Sequence, residues 1–173
     1  MKQLVIIIEG VNKSGKTTLC NLIKEKSGLE FEVIKCSQPK NGDAYSEYMS
    51  ILKEISDNPD KNYILDRFHF GSYVYGPIYR GKPDFDLRSF VEIEEEIMDL
   101  NYLFIVAIAK KSFIKEKFIS EKEEFAKIEL IDKEIELFEK TCKMSRLNIN
   151  YHRIPKQDLT KDNKILNIIK LYE

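Results

Sequence analysis

Apolar residues in this chain fall into two alternating patterns. Runs of strand length occur at Leu4 to Ile8, Phe31 to Cys36, Tyr63 to Leu65, Tyr102 to Ala109 and Leu147 to Ile154, the last alternating apolar with polar. Between them, apolar residues recur at helical spacing over Lys16 to Lys26, Ala44 to Ser56, Leu87 to Leu100, Ser112 to Ile119 and Ile128 to Lys143, and Leu159 to Tyr172 closes the chain. A strand that is apolar throughout needs cover on both faces, and helices between successive strands supply it. The pattern predicts an α/β fold: a doubly wound, five-stranded parallel sheet with flanking helices.

No internal repeat, low-complexity tract or Pro/Gly/Ser-rich linker divides the 173 residues, so one domain spanning 1–173 is expected. The marked shift in composition is the Lys- and Glu-rich stretch from Lys110 to Lys143, which reads as a solvated helix face. Charged residues make up 33% of the chain, but 28 Lys+Arg against 29 Asp+Glu leave a net charge of -1. That balance gives no general basic field for long nucleic acid, so any anion site must be local. Cys20, Cys36 and Cys142 with His69 and His152 form no zinc pattern, and the thiols read as reduced. The Leu4 to Ile8 run is too short to span a membrane and has no cleavage site after it, which makes cytoplasmic the expected location.

One segment changes the picture from architecture to chemistry. Gly10-Val11-Asn12-Lys13-Ser14-Gly15-Lys16-Thr17 fits G-x-x-x-x-G-K-[ST], the P-loop, with a strand before it and an amphipathic helix after it. Gly10 and Gly15 let the backbone curl so that successive N–H groups, from Asn12 through Ser14 to Thr18, point at one anion. Lys16 would neutralise the outer phosphates, and the Thr17 hydroxyl would bind Mg²⁺. Lys13 adds a second cation that could reach a transferring phosphoryl group. No N-K-x-D follows a later strand, which disfavours a switch GTPase. A second segment, Asn62 to Lys82, opens with a short apolar strand ending on Asp66-Arg67. In a parallel sheet the C-terminal strand ends line the ligand crevice, so Asp66 is expected at the metal and Arg67 on phosphate.

These residues resemble the thymidylate kinases and the related deoxynucleoside kinases. The resemblance rests on Glu9 before the P-loop, on Asp66-Arg67-Phe68, and on Ser72 with Val74-Tyr75 at the family's spacing; the "YGPIYRGK" tail is most similar to bacteriophage-type members. It implies a P-loop kinase using ATP as donor with Mg²⁺, a nucleotide acceptor, and a homodimer packed through helices. Gln38-Pro39 stands where deoxynucleoside kinases carry Glu-Pro, whose carboxylate takes a proton from a sugar hydroxyl. An amide cannot accept that proton, which favours a monophosphate acceptor; Glu9 is the alternative base. The family's lid E-R aligns with Glu116-Lys117, so a lid at about 110–125 would contact the donor through Lys117 or through Lys110, Lys111, Lys115 or Lys122, with no arginine. Asn12 stands where many thymidylate kinases have an Asp that contacts the sugar 3'-hydroxyl.

For the acceptor, Arg67, Arg80 and Lys40 are the candidate phosphate grips. Tyr45, Tyr48, Phe68, Tyr73 and Tyr75 are candidate stacking faces, with Glu9, Gln38 and Ser72 beside them. His69 is a candidate contact to a base edge, and Lys156 or Gln157 to the donor base. The expectation is therefore transfer of the γ-phosphoryl group of ATP to a deoxynucleoside monophosphate, thymidine monophosphate first. The alternatives are a deoxynucleoside kinase using Glu9, a non-catalytic ATP-binding module suggested by the lysine-only lid, and a polynucleotide 5'-kinase, which the neutral charge weakens.

Overall fold

A computed structural model describes residues 3–36, 42–120, 127–154 and 164–171. Five strands, β1 (Val5–Glu9), β2 (Phe31–Lys35), β3 (Asn62–Asp66), β4 (Tyr102–Ala109) and β5 (Ile149–Ile154), form one sheet in the order β2-β3-β1-β4-β5. Every pairing is parallel. The predicted α/β class and all five strands are present, including the alternating last run, which lies at the sheet edge beyond β4. The helices are α1 (Lys16–Lys26), α2 (Ala44–Asp57), α3 (His69–Tyr75), α4 (Leu87–Met98), α5 (Lys111–Ser120), α6 (Ile131–Met144) and α7 (Lys164–Ile169). Part of the predicted closing helix, 159–163, lies outside the described residues.

The two-residue repeat of a strand sorts β1 onto two cores. Ile6 and Ile8 pack with Leu19 and Ile23 of α1 and with Ile165 and Ile169 of α7. Val5 and Ile7 face the opposite way, into the larger core with Leu52 of α2, Phe70 of α3, Phe90 of α4 and Phe138 of α6. The same parity continues to the strand ends. Glu9, in step with Val5 and Ile7, emerges on the α3 side. Asp66, in step with Ile64, emerges on the α1 side. The register sets Ile8 beside Asp66, so the two acids leave neighbouring strands at the same edge of the sheet.

Helix α3 and the π-helical turn Gly76–Arg80 after it were not expected from the apolar pattern. The segment HFGSYVY is rich in poor helix formers and its first residues carry no local cap. The missing cap comes from elsewhere in the chain: Oε1 of Glu9 accepts hydrogen bonds from the N–H groups of Phe68 at 2.8 Å and Gly71 at 3.2 Å. By contrast α2 and α4 are capped locally, where Asp43 accepts from Ser46 N and Asp86 from Ser89 N. Gly10 answers a different need. Its φ is +145°, and a Cβ there would lie 2.5 Å from the Ala107 carbonyl oxygen, so the chain can turn out of β1 against β4 only without a side chain.

Candidate functional site

The P-loop leaves the central strand and enters α1 at Lys16, with Gly15 in a left-handed conformation at φ 86°. The Lys16 ammonium donates to the carbonyl oxygens of Gly10 at 2.9 Å and Val11 at 2.7 Å. Burial, and then the neighbouring Arg67 charge, push its pKa well below the usual lysine range, against the pull of Glu9, Asp66 and Glu134. A buried cation resting on its own loop is poised to exchange carbonyls for phosphate oxygens. Thr17 and Thr18 lie exposed on the first turn of α1, and Ser14 is fully buried with its hydroxyl unpartnered among the described residues.

Asp66 comes to this half of the site from β3. The Thr17 hydroxyl lies 3.5 Å from Asp66 Oδ2, a pairing of two hard oxygen donors beside the phosphate loop. That donor set suits Mg²⁺ bound with phosphate and water rather than a fully protein-made cage. Among the described residues no group of three or more acidic, histidine or cysteine side chains is placed to hold a metal ion by itself.

Arg67 follows Asp66 with a left-handed backbone, φ 69°, its N–H bonded to the Ile8 carbonyl at 2.9 Å. Its guanidinium Nη2 donates to Asn12 Oδ1 at 2.9 Å and its Cζ lies 5.7 Å from the centre of the Tyr75 ring. The cation is thus held between the tip of the P-loop and an aromatic face. The remaining side of Asn12 is taken by Glu134 of α6. The Asn12 N–H donates to Oε2 at 3.3 Å, the Asn12 amide to Oε1 at 3.2 Å, and the Tyr79 hydroxyl also donates to Oε1, at 2.9 Å.

Glu9 has the other acid position. It is 1% exposed, with Oε1 capping α3 and Oε2 unpartnered among the described residues. Burial raises its pKa, although the Phe68 and Gly71 N–H groups and the charges of Lys16 and Arg67 pull it down.

The candidate acceptor residues divide. Arg67 and Tyr75 meet at the P-loop tip. Tyr48 is buried: its hydroxyl donates to the Phe68 carbonyl at 3.2 Å and shares a 2.7 Å hydrogen bond with Ser72, while its ring packs on that of Phe68 at 4.6 Å. These three form the packed floor under α3 rather than an open face. Tyr45 reaches Glu92 of α4 at 2.9 Å, and Tyr73 packs on Phe90. Arg80 forms a bidentate pair with Asp84, at 2.7 and 2.6 Å. Lys117 sits on α5 and Lys111 pairs with Asp132 at the start of α6. Gln38, Lys40, Lys122, Lys156 and Gln157 lie outside the described residues.

His69 does not face the crevice. It is fully buried, ringed by Phe68, Phe70, Phe90 and Phe104, with Nε2 3.5 Å from Glu94 Oε1. Burial lowers its pKa against the pull of Glu94. Glu94 in turn accepts from Ser145 and from Arg146 N, which ties α4 to the loop after α6. The residue that sequence reasoning missed is Glu134, in the stretch read as a solvated face. It is 1% exposed and lies on the buried stripe of α6 with Ile131, Phe138 and Thr141. An acid at an apolar-stripe position was the available signal.

No family model and no curated protein matches the sequence. Solved structures do. The YorR protein of Bacillus subtilis, in complex with phosphorylated GDP, superposes with a TM-score of 0.74 at 21% identity over 98% of each chain. Thymidylate kinase from Candida albicans gives 0.61 at 15% identity, over 99% of this chain and 94% of that one. Deoxyadenosine kinase from M. mycoides with bound dCTP gives 0.58 at 16%, over 96% and 98%. The chain therefore has a nucleotide kinase-like fold, five parallel strands with flanking helices, over almost its whole length.

Proposed function

We propose that the protein is a phosphotransferase that moves the γ-phosphoryl group of ATP to a deoxynucleoside monophosphate, with thymidine monophosphate the first candidate. The observation that carries this reading is the placing of Arg67, a permanent cation fixed at the tip of the P-loop by Asn12 and Tyr75. A fixed cation at the loop tip suits an anionic phosphate oxygen, and Gln38 in place of a carboxylate base favours an acceptor that already carries one. In this reading Lys16 leaves the Gly10 and Val11 carbonyls for the β- and γ-phosphates, and Lys13 lies at the loop tip to add charge there. Thr17 and Asp66 would hold Mg²⁺, which neutralises the phosphate oxygens when bound. Arg67 sets an anionic oxygen of the acceptor in line with the γ-phosphorus. The bond formed is acceptor oxygen to phosphorus, the bond broken is phosphorus to the β–γ bridging oxygen, and ADP leaves. No general base is needed. A homodimer and a lid over 110–125 belong to the same reading.

One observation favours a second reading. Glu9 Oε2, buried and unpartnered among the described residues, is a carboxylate oxygen able to take a proton, as a deoxynucleoside kinase requires. An ADP-release assay across deoxynucleosides, deoxynucleoside monophosphates and an oligonucleotide separates the two. Turnover with the monophosphates and little ADP without acceptor is expected; turnover with nucleosides alone would replace the first reading with the second.

A further inference from the structure

We propose that Glu134 is a positioning residue for the phosphate grip: from α6 it fixes the tip of the P-loop through Asn12, and through Asn12 it aims Arg67. The inference rests on reading this site as one of phosphoryl transfer.

The chemistry of Asn12 decides the direction of the chain of contacts. A side-chain amide has one donating and one accepting end. Glu134 is acceptor-only when ionised and takes the donating end, together with the Asn12 backbone N–H. The accepting end is then turned to Arg67, which only donates. Asparagine can join an acid to a base in this way; aspartate at the same position would set one carboxylate against another. Asn12 is thus matched to Glu134, and the departure from the family's Asp has a partner elsewhere in the fold.

Backbone geometry points to the same triad. Among the described residues, the non-glycine residues with positive φ are Lys13, at 59°, and Arg67, at 69°. One follows Asn12 in the chain and the other is its hydrogen-bond partner. Such conformations persist where the surroundings over-determine them, and here both residues adjoin Asn12, which Glu134 holds through two hydrogen bonds. Glu134 also accepts from Tyr79 at the end of the π-helical turn, so it joins that turn to the loop. A second support runs alongside. Phe138, one turn further along α6, meets Tyr75 edge-on at 6.0 Å, and Tyr75 carries the Arg67 guanidinium. Helix α6 therefore supports Arg67 from two directions, through Asn12 and through Tyr75.

The test compares Asn12→Asp, Glu134→Ala and the exchanged pair Asn12→Asp/Glu134→Gln, in which a carboxylate on the loop would accept from an amide on α6. For each single variant kcat/KM for the monophosphate acceptor should fall about a hundredfold, the order expected from misplacing a positioned group. The exchanged pair should recover to within about tenfold of the parent, because contacting sites couple. An exchanged pair no more active than Asn12→Asp alone, or an Asn12→Asp variant as active as the parent, would overturn the proposal. Amide hydrogen exchange of the nucleotide-free protein supplies an arm independent of activity. Exchange over residues 10–17 should quicken in Glu134→Ala and Asn12→Asp and slow again in the exchanged pair. Unchanged exchange in Glu134→Ala would also overturn the positioning role. If the parent transfers phosphate to no nucleotide, the functional reading fails while the exchange arm still reports whether Glu134 holds the loop.

Discussion

Glu9 and Asp66 leave neighbouring strands side by side, yet they meet opposite surroundings. Asp66 faces α1 and lies 3.5 Å from the Thr17 hydroxyl, at the edge of the phosphate loop. Glu9 faces α3 and spends one oxygen on two backbone N–H groups. The difference follows from one residue of strand parity, which directs one acid to the P-loop and the other to the N-terminus of α3. Similar side chains at a shared sheet edge are thus assigned to different work by the face they inherit.

The largest effect that would sharpen this contrast is kinetic. Asp66→Asn should lower kcat by about a thousandfold, in the range of losing a metal-side charge in phosphoryl transfer, with the thermal midpoint nearly unchanged. Glu9→Ala should do the reverse in kind. It removes the cap of α3 and leaves two buried N–H groups unpaired, a cost of about 2–4 kcal/mol measurable by urea unfolding. A Glu9→Ala variant of parental stability would break the comparison.

A smaller effect concerns pH. With its pKa lowered to about 7, Lys16 in the free protein is charged below that value and increasingly neutral above it. A phosphate ligand favours the charged form, so binding takes up a proton as pH rises. ATP affinity should be steady below about pH 7 and weaken by up to about tenfold per pH unit above it, as linkage requires for one proton. Calorimetry in buffers of different ionisation enthalpy reads this uptake directly. Smaller still, Tyr48→Phe should cost about 1–2 kcal/mol, since it removes the hydroxyl joined to the Phe68 carbonyl and Ser72 and leaves their buried groups short of a partner.

In the proposed reading, the donor half of the site is the part written locally in the sequence. A strand, eight consecutive letters and a helix specify the phosphate cradle, and continuous apolar runs specify the strands that carry it. The acceptor half is built from distant residues. Helix α3 depends on a cap lying 59 positions earlier in the chain, from Glu9 to Phe68, so its own letters argue against a helix. Asn12 meets Glu134 across 122 positions, and in a stretch so full of lysine and glutamate one buried acid looks like its solvated neighbours. Tyr48, Phe68 and Ser72 carry the composition of a ligand wall, but whether an aromatic lines a pocket or its floor depends on what packs over it. His69 shows the same limit: placed beside the signature pair, it turns inward because α3 begins there and its first side chain faces α4.

We propose an acceptor that already carries a phosphate, with Glu9 an architectural acid rather than a base. Transfer of radiolabel from γ-labelled ATP to thymidine and to thymidine monophosphate, in the parent and in Glu9→Gln, tests it most directly. Glutamine keeps an acceptor oxygen for the Phe68 and Gly71 N–H groups but cannot take the proton. Label in thymidine diphosphate is expected, with Glu9→Gln within about tenfold of the parent, since a positioned general base would contribute more than that. Label in thymidine monophosphate made from thymidine, abolished in Glu9→Gln, would contradict it.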